Sequence, residues 1–126
     1  MKMMKTQVYN LEERLINFAV MIIHLNGHFP DSSIGRHLCG QLNRSATAPA
    51  LNYGEAQGAE SPADFLHKMR ICLKELRESQ INLNIAQRAG LLPEDIATPA
   101  LQECQQLVAI FTASVKTAQH RAQAPK

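Results

Sequence analysis

Apolar residues recur at Leu11, Leu15, Phe18, Ile22 and Leu25, the alternating four and three spacing of a helix with one buried seam. The spacing predicts a first helix over 11–28, ended by Gly27 in a left-handed cap and by Pro30, which cannot continue it. Val20, Met21 and Ile23 lie outside that seam and predict a helix covered on more than one side. Asp31, Ser32 or Ser33 can cap a second helix over 33–59, in which Ile34, Leu38 and Leu42 carry the seam onward. Pro49 lies inside it, has no amide hydrogen and crowds the carbonyl of Ser45, so a kink or break is expected around residues 46–48. Beyond it Ala50, Gly54, Ala56 and Gly58 predict a close approach by another backbone.

Ser61-Pro62-Ala63-Asp64 combines a cap, a proline at the first helical position and an acid three residues on, and opens a third helix over 62–89. Phe65, Met69, Cys72, Leu76 and Leu83 form its seam, Leu66, Leu73, Ile81 and Ile85 widen the apolar face, and Gly90 caps its end. Thr98-Pro99 repeats the cap-then-proline device, and Leu101, Cys104, Leu107 or Val108, Phe111 and Val115 predict a fourth helix over 99–121. Four helices, short connections and no segment of strand period predict an all-α, antiparallel up-down-up-down four-helix bundle.

Composition narrows this picture. A chain of 126 residues suffices for one core but not two, so residues 1–126 are expected to form a single domain. The three cysteines, Cys39, Cys72 and Cys104, are odd in number and widely spaced, as reduced core thiols would be. Glu12, Glu13 and Arg14 interrupt the chain ahead of the apolar run, which argues against a signal peptide, and the run from Leu15 to Leu25 is about half of a membrane span. A soluble, cytoplasmic protein is therefore expected. Thirteen Lys and Arg against eleven Asp and Glu leave a charge of +2, too small for a globally basic nucleic-acid-binding protein, so any basic patch must be local.

No phosphate-binding glycine loop, nucleophile elbow, zinc-protease helix or dinucleotide fingerprint occurs. His24 and His28, four apart, could offer two nitrogens to a metal, but no carboxylate or thiol nearby completes a ligand set. Their plainer reading places His24 at the edge of the core and His28 at the carbonyl end of its helix. The Glu-x-x-His pairs of a di-iron bundle are missing, and no cofactor is expected. Glu75 and Glu78 share one face of the third helix and Glu55 lies on the second, so a carboxylate cluster is geometrically open to them, as is ion pairing with Arg44, Lys74 or Arg77. The excess positive charge falls in residues 61–92, which hold five Lys and Arg against three Asp and Glu. Arg70, Lys74 and Arg77, spaced four and three apart, form one stripe that could follow a phosphate backbone. The competing reading is a solvated face laced by Asp64–Lys68 and Lys74–Glu78 pairs.

Gln41-Leu42-Asn43-Arg44-Ser45, then Pro49, Asn52, Glu55-Ala56, Asp64-Phe65, Leu73 and Glu75 to Glu78 together resemble the bacterial four-helix bundle family named after 23S ribosomal RNA intervening sequence proteins. That family is related to the accessory variability determinant of diversity-generating retroelements. The resemblance runs from Leu11 to about Arg121 and rests on combined spacing rather than on one motif. It implies a bundle that assembles as a homopentamer, without catalytic activity, in which Arg44, Asn52, Glu55 and Glu75 are structural or interface polar groups. In the retroelement relatives a basic surface contacts RNA and the reverse transcriptase. Here Gln57-Gly58-Ala59-Glu60 lacks the basic residue often found after the Glu-Ala pair. The resulting expectation is a non-enzymatic homo-oligomeric scaffold whose stripe Arg70, Lys74 and Arg77 meets structured RNA or an RNA-associated protein. The alternative is a protein interaction module without nucleic acid.

Overall fold

Side-chain caps start three of the four helices. In a computed structural model, which describes residues 10–123, α1 spans Leu11–His24, α2 Ser33–Gln57, α3 Pro62–Arg88 and α4 Glu94–Gln123. The side-chain oxygens of Asn10, Ser32 and Ser61 accept from the backbone amides of Glu13, Gly35 and Asp64, each satisfying a donor that the first helical turn leaves open. Pro62 follows its cap at the first helical position, as the sequence predicts. At the far end of α3, Gly90 has φ +75°, and the amides of Gly90 and Leu91 donate to the carbonyls of Gln87 and Ala86. This is the glycine-capped ending expected there, and it turns the chain so that Leu92 is buried.

The helices gather around one apolar core, and among the described residues there is no strand. α3 packs extensively against α2 and α4, while α1 lies along α2 and touches α4 more lightly. Phe18, Leu42, Leu76 and Leu107, one from each helix, are fully buried within the core cluster. Cys72 and Cys104 are buried with them, and burial pushes both thiols up to about 12. Cys39 is half-buried.

Several expected details differ. α1 stops at His24 rather than at 28, because a single 3-10 turn over Asn26–His28 follows and Gly27 does not use positive φ. α2 is not broken at Pro49: residues 46–48 are helical, Pro49 is buried, and its carbonyl accepts from the Cys72 thiol at 3.5 Å. α4 begins at Glu94 rather than at residue 99. Thr98 is no cap there; its hydroxyl donates back to the Glu94 carbonyl at 2.7 Å, as threonines inside helices do. Glu94 and Asp95 suit the positive end of the helix, and burial of Ala97 and Ala100 anchors the added turn. Ile81 and Ile85 do not widen the buried face of α3; they stand 58% and 45% exposed. A Cβ at Gly54 would meet open space and one at Gly58 only a distant carbonyl of its own turn, so neither marks a close helix approach within the chain.

Ile34 is also exposed, and the inward position at the start of α2 belongs to Gly35. A Cβ on Gly35 would run into the carbonyl oxygen of Pro30 and crowd the capping hydroxyl of Ser32. Gly35→Ala is therefore expected to destabilise the protein by about 1–2 kcal/mol, because the backbone clash outweighs alanine's helix preference. A thermal melt that rises in this variant would show that the turn before α2 yields easily.

Candidate nucleic-acid interface and the polar groove beside it

On α3 the residues Arg70, Lys74 and Arg77 fall on one flank of the face that buries Met69, Leu76 and Leu83, and all three are exposed. The ion pairs that would neutralise this stripe do not form. Lys68 reaches across to Glu55 of α2 at 2.7 Å instead of pairing with Asp64, and Lys74 makes no ion pair with Glu78. Among the described residues none of Arg70, Lys74 and Arg77 is in a salt bridge. Three cations thus stand along about 10 Å of helix with their charge directed at solvent. Ile81 and Ile85 follow on the same helix, so the stripe turns apolar towards its carboxyl end.

Lys74 also borders a groove of about 350 Å³ between α2 and α3, with Arg44 opposite and Glu75 and Glu78 along one wall. The groove brings together two of the four family-pattern residues, Arg44 and Glu75. The other two lie elsewhere: Asn52 donates to the Ala48 carbonyl of its own helix at 3.0 Å, and Glu55 holds Lys68. Glu55 therefore does not join Glu75 and Glu78 in a carboxylate cluster.

Partial burial raises the Glu75 carboxyl above its ordinary value, the negative charge of Glu78 and a hydrogen bond to it add to this, and Lys74 and Arg44 oppose it. The folded state thus favours neutral Glu75, a contribution present at acid pH and lost as the pH rises through the raised pKa. Glu75→Gln is expected to stabilise the protein at pH 7 by about 0.3–0.5 kcal/mol, the size of a solvent-screened like-charge pair on one helix. The gain should vanish below the ordinary value of 4.5. Melting temperatures at pH 4 and pH 7 check the sign; an equal gain at both would trace it to packing instead.

The floor of the groove holds a feature missed in the sequence. Ser45 of α2 and Ser79 of α3 are almost fully buried, their hydroxyls 3.0 Å apart. Ser45 also donates to the Leu42 carbonyl at 3.3 Å and accepts from the Asn82 amide at 3.4 Å, and the Ser79 hydroxyl lies 3.0 Å from the Glu75 carbonyl. The available signal was a gap, since the α3 seam passes from Leu76 to Leu83 with Ser79 at the vacant inward position, and Ser45 fills the matching place between Leu42 and Pro49.

Arg14 ties α1 to α4 through Glu103, with contacts of 2.9 and 3.0 Å, and through Gln106 at 2.6 Å. His24 and His28 are both exposed, and among the described residues no three His, Cys, Asp or Glu side chains cluster closely enough to hold a metal ion. Among the same residues no helix is long and apolar enough to cross a membrane.

No curated protein matches the chain. A crystal structure of a protein with unknown function from the S23 ribosomal protein family of Bacteroides thetaiotaomicron superposes with a TM-score of 0.77 at 25% identity, covering 83% of this chain and 97% of that one. The family model for the 23S rRNA-intervening sequence protein matches residues 6–113. A match of that extent, over helices whose caps and seams account for the matched spacing, establishes that the chain belongs to the 23S rRNA-intervening sequence protein family.

Proposed function

We propose that the protein is a non-enzymatic cytoplasmic scaffold, an antiparallel up-down-up-down four-helix bundle that assembles with its own copies, as a pentamer, and offers the α3 stripe to structured RNA or an RNA-associated partner. The observation that carries this reading is the row Arg70, Lys74 and Arg77, exposed and outside every salt bridge among the described residues. Such a row displaces the cations condensed on a phosphate backbone, and their release drives binding. A ring of copies multiplies the row, which compensates for the low charge of one chain.

The antiparallel arrangement is supported by paired contacts running in opposite senses. Glu55 meets Lys68 while Ser45 meets Ser79, and Cys104 bonds the Leu76 carbonyl. A bend of α2 at Pro49 follows from the helical donor that the Ser45 carbonyl lacks. Self-association is supported by Ile16, Val20 and Ile23, which form an apolar row on α1, each more than 40% exposed. A second reading, a protein interaction module without nucleic acid, draws on Ile81 and Ile85, because isoleucine suits a polypeptide surface better than phosphate.

Native mass spectrometry of the untagged protein at low and high ammonium acetate tests both. A species near five times 14.0 kDa carrying nucleic acid that salt removes supports the scaffold with an RNA surface. A bare pentamer favours the interaction module, and a monomer overturns the assembly.

A further inference from the structure

The polar groove between α2 and α3 is lined by four charged side chains that do not neutralise one another. Arg44, Lys74, Glu75 and Glu78 all border it, and among the described residues none of the four is in a salt bridge. At about 100° per residue, Ile81, Lys74, Glu78, Asn82 and Glu75 follow one another round α3 within about 120° of arc, from the stripe towards α2. Lys74 therefore belongs both to the cationic row and to the rim of the groove. Arg44 of α2 stands opposite, and the Asn82 amide is held by the buried Ser45 hydroxyl at 3.4 Å. Ile81, 58% exposed, adds an apolar flank beside the stripe.

Charge decides what fits. Two positive and two negative side chains leave no net charge to favour an ionic ligand, and burying an ion there would cost hydration without repayment. The walls still call for hydrogen-bond partners, because carboxylates only accept and the two cations only donate. Glu75 has the most to gain, since partial burial and the charge of Glu78 both disfavour its ionised form. A volume of about 350 Å³ lies at the small end of ligand sites, roughly 300–1,000 Å³. These features describe a small, uncharged, flat ligand with two adjacent donors on one edge and acceptors on another. Among the bases of RNA only guanine has that layout, with N1–H and the N2 amino group on one edge and O6 and N7 on the other.

We infer that the groove is a pocket for one unpaired guanine of the RNA whose backbone follows the α3 stripe, a role that rests on that reading of the stripe. N1–H and the N2 amino group donate to the carboxylates of Glu75 and Glu78, O6 and N7 accept from Arg44, and the ring covers Ile81. Lys74, at the rim, meets the phosphate of the same nucleotide. The stripe holds backbone of any sequence, and the groove supplies the choice of base.

Titration of the isotopically labelled full chain with guanosine, inosine and adenosine 5′-monophosphates, read from the amide resonances of Ser45 and Asn82, tests this. All three carry the same phosphate, and inosine differs from guanosine only in lacking the N2 amino group. The guanosine form is expected to bind about tenfold more tightly than the inosine form, with the adenosine form weaker still. In Glu75→Gln, Glu78→Gln the preference should fall below about twofold. Equal binding of the three, or no shift at Ser45 and Asn82, overturns the inference. Larger shifts with N-acetyl-arginine amide overturn it in favour of a cationic side chain of a protein partner. Should the double variant disturb the fold, the 7-deaza analogue of guanosine monophosphate decides on the unaltered protein: weaker binding supports the contact with Arg44, and equal binding overturns it. Salt-dependent binding of an RNA hairpin judges the stripe separately. Hairpin binding without a guanosine preference keeps the stripe and overturns the pocket, whereas a guanosine preference without hairpin binding supports the pocket and removes the stripe.

Discussion

Phe111→Ala is expected to destabilise the protein by about 3–5 kcal/mol and to lower the melting temperature by more than about 10 °C. Phe111 is fully buried on α4, and its ring meets Tyr53 of α2 edge to face, with centroids 5.9 Å apart and planes at 81°. Aromatic residues make up 5% of the chain and none is Trp, so a single ring supplies an unusually large share of the core volume. Truncation leaves a cavity where α2 and α4 meet and removes the support of Tyr53, whose hydroxyl burial raises above its usual range. Against a total stability of order 5–15 kcal/mol such a loss is large. Urea unfolding provides the measurement: the midpoint should fall while the slope with denaturant stays the same. Phe111→Leu, which keeps most of the volume, should lose roughly 1 kcal/mol. A loss below about 1 kcal/mol for the alanine variant would mean that the two helices close over the gap.

Reversing the stripe with Arg70→Glu, Lys74→Glu and Arg77→Glu is expected to abolish binding of a labelled RNA hairpin while the subunit number and far-ultraviolet dichroism stay the same. The wild-type dependence of log binding constant on log salt should steepen by up to about 0.9 for each phosphate neutralised, or roughly 2–3 for the stripe on one subunit. Stability should change by less than about 0.5 kcal/mol at Arg70 and Arg77, which are exposed and unpaired among the described residues. Lys74 differs, because it opposes the raised pKa of Glu75, and a glutamate there would put a third carboxylate beside Glu75 and Glu78. Lys74→Gln in the same background separates that local repulsion from RNA contact. Binding that survives all three reversals would remove α3 as the nucleic-acid surface.

The helices were readable in the chain wherever one physical signal acted alone. Ser61 with Pro62 starts α3 and Gly90 ends it, as composition and spacing require. Spacing alone does not decide where two signals compete. Thr98-Pro99 has the residue types of a helix start, yet burial of Ala97 and Ala100 decides in favour of a start at Glu94. Pro49 weakens α2 locally, but packing against α3 keeps the helix continuous. Ile34, Ile81 and Ile85 continue the apolar spacing yet stand exposed, because spacing alone does not tell which of several apolar faces meets a neighbour. The candidate site divides in the same way. The stripe follows from spacing on one helix, whereas the groove joining Arg44 to Glu75 depends on how α2 and α3 align.

That alignment traces to the two buried serines. Most other buried side chains of the α2–α3 interface are Leu, Ala, Cys and Pro, which tolerate several offsets of one helix along the other, and the Glu55–Lys68 pair that also joins the two helices lies at the surface. Ser45 and Ser79 tolerate only one: displaced by a single turn, each would keep its bond to its own helix but bury an oxygen beside leucine without its partner, a loss of about 1 kcal/mol or more. The pair acts as an index mark, and every distance between a residue on α2 and a residue on α3 inherits its position. Replacing both serines by alanine would erase that mark, and the position of Arg44 beside Glu75 would then rest on the surface pair Glu55–Lys68 and the Cys72–Pro49 contact alone.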